Sequence, residues 1–182
     1  MRRPRKKEGN GMGIQIQVDT REHAREWERI KGQFDAPGVQ YFRSKMYVGD
    51  CQSLDNPRLV IDRKKDMQEI CGNVCQQHER FRAELLRAKE QGIKLVILCE
   101  HGAGIRSLED VRFWQNPRRY QVRWKTVNGR RVKDVMSARA IDGKQLHLSL
   151  CTIRDRYNVD FVFCRKEETG QKIIGILGGS HD

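Results

Sequence analysis

The run Lys94-Leu95-Val96-Ile97-Leu98-Cys99 most constrains what this chain can fold into. A half-exposed strand alternates apolar and polar side chains, so an unbroken apolar run of this length reads as a strand covered on both faces. Upstream, Leu59-Val60-Ile61 leads into Asp62-Arg63-Lys64 and reads as another strand. Between the two, Met67, Ile70, Cys71, Val74, His78, Phe81, Leu85 and Ala88 recur at three- and four-residue steps, and Gly92 follows. That spacing predicts one long amphipathic helix. Strand, helix, strand is a crossover unit, so the two strands are expected to run parallel.

Ile14 to Val18 alternates and is β-branched, which predicts a first strand. Ala24, Trp27, Ile30 and Phe34 mark a helix over 21–34 that Pro37-Gly38 ends, and Val39 to Val48 reads as a second strand. Ser107 caps a short helix closed by Asn116-Pro117. Val122, Trp124 and Thr126 alternate up to Asn128-Gly129, the signature of a hairpin. Gly143 to Tyr157 reads as a helix, Val159 to Cys164 as a strand and Thr169 to Leu177 as a last helix. The expected class is α/β, a mixed sheet flanked by helices on both faces with a basic hairpin insertion. The chain divides into a disordered basic tail over 1–12, a single domain over 13–178 with its insertion at 118–139, and a free end over 179–182.

The formal net charge is +12, and its placement matters more than its size. Met1 to Asn10 holds five basic residues and one acid, a net of +4; Arg118 to Arg139 holds eight and one, a net of +7, which leaves +1 elsewhere. Patches of this kind are the electrostatic footprint of a nucleic-acid binder, against the plainer reading of a solubilising surface. No apolar run nears the roughly 18–20 residues of a membrane helix, and the start lacks the apolar stretch of a secretory signal, so a cytoplasmic protein of a bacterial or phage-infected cell is expected. The six cysteines include no CxxC pair, which favours reduced thiols. Cys71, Cys75 and His78 share a helical face without a fourth ligand at zinc spacing, and they read as core packing.

Acids and one lysine gather at strand ends in the first third of the chain. Asp19 follows the first strand with Glu22 just beyond, Asp50 follows Gly49, and Asp62 and Lys64 stand two apart on one strand. Residues two apart point to one face, so Asp62 and Lys64 can address one centre while Arg63 turns away. Phosphodiester hydrolysis asks for this set: carboxylates for hard divalent cations, and an ammonium against the charge that builds on phosphorus. Asp50 and Asp62 are the candidate ligands, Lys64 is the cationic partner, and the Arg63 carbonyl is a further ligand. An Asp-x-Lys pair alone also suits an ordinary exposed strand, but Val60-Ile61 running into Asp62 suggests burial, where an unpartnered charge is costly.

Val18-Asp19-Thr20-Arg21-Glu22, then Val48-Gly49-Asp50, then Ile61-Asp62-Arg63-Lys64 resembles, in that order, the nuclease domain of the XPF-type structure-selective endonucleases, within the restriction-endonuclease-like superfamily. The resemblance covers about Ile14 to Leu177 and implies that fold. It also implies a magnesium-dependent DNA endonuclease in which manganese substitutes, with branched, flap or junction substrates. It places Asp19, Glu22, Asp50, Asp62 and Lys64 at the metal centre, with Arg21 and Arg63 as the family's arginines. Two departures stand out. The family's Glu of E-R-K is Asp62 here, and the acid expected past the lysine falls on Gln68, between Asp66 and Glu69. The helix-hairpin-helix module of many members is absent from the 182 residues, as in stand-alone phage or prophage forms. A homodimer is a possible assembly, since the family often pairs nuclease domains. DNA grip then falls to Arg21 and to Arg118, Arg119, Arg123, Lys125, Arg130, Arg131 and Lys133, with Trp124 either core or a stacking group. Glu100-His101-Gly102-Ala103-Gly104 resembles a nucleotide-binding turn only loosely, for it lacks a third glycine and a following acid. The rival readings are a DNA-binding module whose nuclease has decayed and a protein-interaction subunit; the intact acidic set speaks against both.

Overall fold

The computed structural model describes residues 13–21, 24–35, 37–102, 104–135, 137 and 139–179. The expected basic tail, Glu22 and the end beyond residue 179 lie outside them. A six-stranded mixed sheet forms the centre. Its strands are β1 (Ile14–Val18), β2 (Val39–Arg43), β3 (Cys51–Ser53), β4 (Leu59–Lys64), β5 (Lys94–Glu100) and β8 (Asp160–Cys164), in the order β2-β1-β3-β4-β5-β8. β4 and β5 run parallel, as the crossover requires, and β8 adds to β5 in the same direction. β3 is antiparallel to both its neighbours, so β1 and β4 point the same way and their carboxyl ends share one edge of the sheet.

The alternation of β4 and β5 sorts the core into two layers. Val60, Leu95, Ile97 and Cys99 face a cluster with α2 (Met67–Cys75), α3 (His78–Glu90) and α4 (Gly143–Tyr157). Leu59, Ile61, Val96 and Leu98 face the opposite cluster with α1 (Ala24–Phe34) and α5 (Thr169–Gly178). Ile61, Ile97 and Leu98 are wholly buried, each contributing about 1.5–3 kcal/mol of burial. Asp142 caps α4 with a reciprocal capping box, and Asn158 ends it in the left-handed conformation. No described helix is long and apolar enough to cross a membrane.

Three local expectations change. The long helix of the crossover is two, α2 and α3, broken at Gln76-Gln77. Gly72 and Asn73 are weak helix formers, and every residue from Cys75 to Arg80 is exposed, so no packing straightens the joint. Cys75 and His78 consequently lie outside the core, and only Cys71 of that trio is buried. The second strand stops at Arg43, because β1, its one neighbour in the sheet, ends at the paired Val18. The chain then dips inward at Met46 and Val48 and enters β3, a three-residue strand of mixed composition that the pattern of apolar residues does not announce.

Burial raises the thiols of Cys99 and Cys164 and, with help from Cys75, lifts Cys71 to about 11. In native protein an aromatic disulfide reagent at pH 8 should therefore label Cys75 promptly and half-buried Cys151 more slowly. Cys51, Cys71, Cys99 and Cys164 should react only on unfolding. Prompt labelling of Cys51 or Cys99 would contradict this packing.

Candidate active site

The carboxyl ends of β1 and β4 bring Asp19, Asp50, Asp62 and Lys64 to one edge of the sheet. Open α/β sheets commonly place their sites at this edge. Gly49 makes the approach possible. Its φ is +63°, and a Cβ there would lie 2.5 Å from Val60 Cγ1 and 2.8 Å from the Ile61 carbonyl oxygen. The Asp50 N–H donates to Ile61 O and the Asp19 N–H to Asp50 O, both at 2.8 Å. Asp50 Oδ2 accepts the Arg63 N–H at 2.8 Å, which pins its side chain beside β4. A strand turns the N–H and C=O of one residue to the same edge, so the Arg63 carbonyl also leaves β4 on the Asp50 side.

Asp62 and Lys64 share a face, 4% and 8% exposed. Lys64 Nζ donates to Asp62 Oδ1 at 2.9 Å and lies 2.7 Å from Oδ2, which accepts no well-directed hydrogen bond among the described residues. The Asp50 and Asp62 side chains come within hydrogen-bond reach of each other. Two carboxylates that close need a shared proton or a cation between them. Burial raises the Asp62 carboxyl above its ordinary range, and Glu84 on α3 adds to this. Burial is the largest influence on the Lys64 ammonium and works against it, but the charge and hydrogen bond of Asp62, with the charges of Asp50 and Glu69, together hold it above its ordinary range. Beside Lys64 opens a polar cleft of about 150 Å³, walled by Glu69, Asn73, Arg80, Phe81 and Glu84.

Asp19 is the other acid expected as a ligand at this edge. It is wholly buried and both its oxygens are engaged: Arg21 grips it bidentately, with Nη2 2.6 Å from Oδ2, and the N–H groups of Arg21 and Met46 donate at 2.7 and 3.0 Å. Burial opposes its ionisation, yet these donors together hold its carboxyl below the usual range. No three of the described acids, histidines and cysteines converge as a ready metal cage. Arg21, expected at DNA, spends its guanidinium on Asp19 and the Met46 carbonyl, with 60% of its side chain still exposed.

Arg63 turns to the other face, as the alternation requires. There Glu100, at the end of β5 and with no side-chain exposure, accepts from Arg29 Nη2 at 2.7 Å, Arg63 Nη1 at 3.0 Å and Thr169 Oγ1 at 2.9 Å. This cluster ties the ends of β4 and β5 to α1 and α5. The sequence reading missed both Glu100 as Arg63's partner and the polar wall of the cleft. The wall had a signal: Glu69, Asn73, Gln77, Arg80 and Glu84 recur at helical steps beside the apolar stripe. Asp66 and Glu69, near the acid expected past the lysine, instead cap α2: Asp66 accepts from the Glu69 N–H and Glu69 from the Lys65 N–H.

A family model, the ERCC4 domain, matches residues 18–176, a span that holds all of these side chains. The chain belongs to the ERCC4 domain family. No curated protein gives a significant match by sequence. Among solved structures, XPF from Aeropyrum pernix is similar at a TM-score of 0.58 and 17% identity, covering 90% of this chain and 63% of that one. XPF from Aeropyrum pernix in complex with DNA is similar at 0.58 and 15% identity, covering 91% and 64%. The chain thus spans less than two thirds of either. The shared architecture is the expected restriction-endonuclease-like one, a mixed sheet with helices on both faces. In this ERCC4 domain the Asp62–Lys64 edge lies on one face of β4 and the Arg63–Glu100 cluster on the other.

Removing one member of a buried charge cluster leaves the others unpaired in the interior. Glu100→Ala should cost about 3–5 kcal/mol of stability, read as a lowered urea midpoint. A midpoint unchanged within error would show that water already screens the two arginines.

Proposed function

We propose that this ERCC4 domain is a divalent-metal-dependent endonuclease that hydrolyses phosphodiester bonds in DNA, with branched, flap or junction structures as preferred substrates. One observation carries the reading. Two carboxylates, Asp50 and Asp62, stand within hydrogen-bond reach of each other with an ammonium on Asp62. Such a pair suits a hard cation, and all-oxygen donors favour magnesium, with manganese as a substitute. Asp50, Asp62 and the Arg63 carbonyl would hold the ion; Asp19 would join if Arg21 moved aside, and Glu22 is the remaining acid of the set. Bound there, the ion would polarise the phosphate and activate a water.

The chain's own groups account for the rest. Asp62 fixes the Lys64 ammonium, which faces the phosphoryl oxygens as negative charge grows on phosphorus. The Arg63 N–H orients Asp50, and the Glu100 cluster on the far side of the sheet holds β4 in place. The exposed part of Arg21 and the basic segment with Arg118, Arg119, Arg123, Lys125, Arg130, Arg131 and Lys133 supply the grip on phosphates, without reading sequence.

Labelled duplex, flap, fork and four-way-junction DNA, each with magnesium or with EDTA, test the enzyme. Cutting should require the metal, and Asp62→Ala and Lys64→Ala should each lower it about 100- to 1,000-fold while binding persists. Tight binding with no cutting in magnesium or manganese would leave a catalytically inactive DNA-binding module on the same fold. For the grip, Arg130→Gln with Lys133→Gln should flatten the dependence of log affinity on log salt by about 0.9 per lost phosphate contact, read by anisotropy. An unchanged slope would remove the hairpin from the interface.

A further inference from the structure

The hairpin of β6 (Val122–Val127) and β7 (Arg130–Val135) forms its own two-stranded sheet. Asn128 and Gly129 both take positive φ, 51° and 74°, as a tight two-residue turn requires. Its register divides the side chains unequally. Val122, Trp124, Thr126, Arg131, Lys133 and Val135 share one face, and Trp124 sits directly opposite Lys133. On the other face Asp134 pairs with Arg123 at 3.0 Å and Lys125 at 3.2 Å. The one acid of the hairpin is thus used up on the side away from the tryptophan. Arg131 and Lys133 form no ion pair with a described residue, and the Arg131 guanidinium lies 5.5 Å from the indole centroid.

Trp124 is 60% exposed, whereas Trp27 and Trp114 are buried at 5% and 7%. An aromatic plate of this size in water, rimmed by cations and with no acid on its face, matches one ligand chemistry well: a flat apolar ring carried on a polyanion. In a duplex the base faces are hidden in the stack; in a single strand they are open, and stacking on an aromatic side chain tolerates any base. We propose that the Trp124 face of the hairpin is a stacking site for unpaired nucleotides, with Lys133 and Arg131 on the flanking phosphates. This rests on the reading of the hairpin as a DNA-binding element and names what it grips, the single-stranded part of a branched substrate.

The full chain, in EDTA so that nothing is cut, is titrated with a twenty-residue oligothymidylate and with the matching thymidylate–adenylate duplex, reading tryptophan fluorescence. Because the other two tryptophans are buried, the single strand should quench a component that the duplex leaves, and Trp124→Ala should abolish that component. By anisotropy, Trp124→Ala should weaken single-strand binding about 5- to 150-fold, with little change for the duplex. Trp124→Phe keeps a ring and should retain most of the affinity, which separates stacking from a misfolded hairpin. Equal losses on both DNAs, or no quenching by either, would overturn the proposal and leave the face to a duplex backbone or a protein. Quenching without any cleavage would leave this site standing while the enzyme reading falls; cleavage with an indifferent Trp124 would do the reverse.

Discussion

The structure turns on a charged strand end inside a protein. β4 is covered on both faces, and its last three residues are Asp62, Arg63 and Lys64. A strand alternates, so their charges cannot all meet one partner, and each face needs its own compensation. On one side Asp62 and Lys64 neutralise each other, and Asp50 and Glu84 add negative charge. On the other, Arg63 shares Glu100 with Arg29. Between them the Asp50 carboxylate holds the Arg63 N–H in the plane of the sheet.

That arrangement links packing to chemistry. Buried ion clusters add little net stability compared with apolar packing, but they are severe about geometry, because a displaced partner leaves a bare charge. The Glu100 cluster locks the carboxyl ends of β4 and β5 against α1 and α5. The opposite edge, with its two adjacent carboxylates, can then keep an excess of negative charge suited to a cation without the strand shifting to relieve it. A rigid strand also holds such groups more tightly than a loop would. The hairpin is built the other way: both its faces lie in solvent, and its cations and indole find partners mainly among themselves.

Much of this was readable in the sequence. The apolar run of β5, the crossover, the boundaries of α4 and the Asn-Gly hairpin all follow from local periodicity and turn chemistry. So do Asp62 and Lys64 on a common face and Arg63 on the other. Features that needed a distant partner were not. The break at Gln76-Gln77 reflects missing packing, the short β2 reflects where β1 ends, and β3 exists because β1 and β4 leave a gap for it. Arg21 shows the same limit within the site, for no local rule says that its guanidinium folds back onto Asp19.

By itself, then, the sequence determined which residues alternate, which face each charge takes and which segments must be covered, because those depend on periods of two and 3.6 residues. Tertiary structure alone decided who compensates whom: Glu100 across from Arg63, Asp50 against the Arg63 N–H, the placing of the polar wall of α2 and α3 beside Lys64, and Trp124 in solvent rather than in the core. A charge or a ring in a sequence carries no record of its dielectric surroundings. Those are set by segments tens of residues away, brought close when the two core layers close on the sheet.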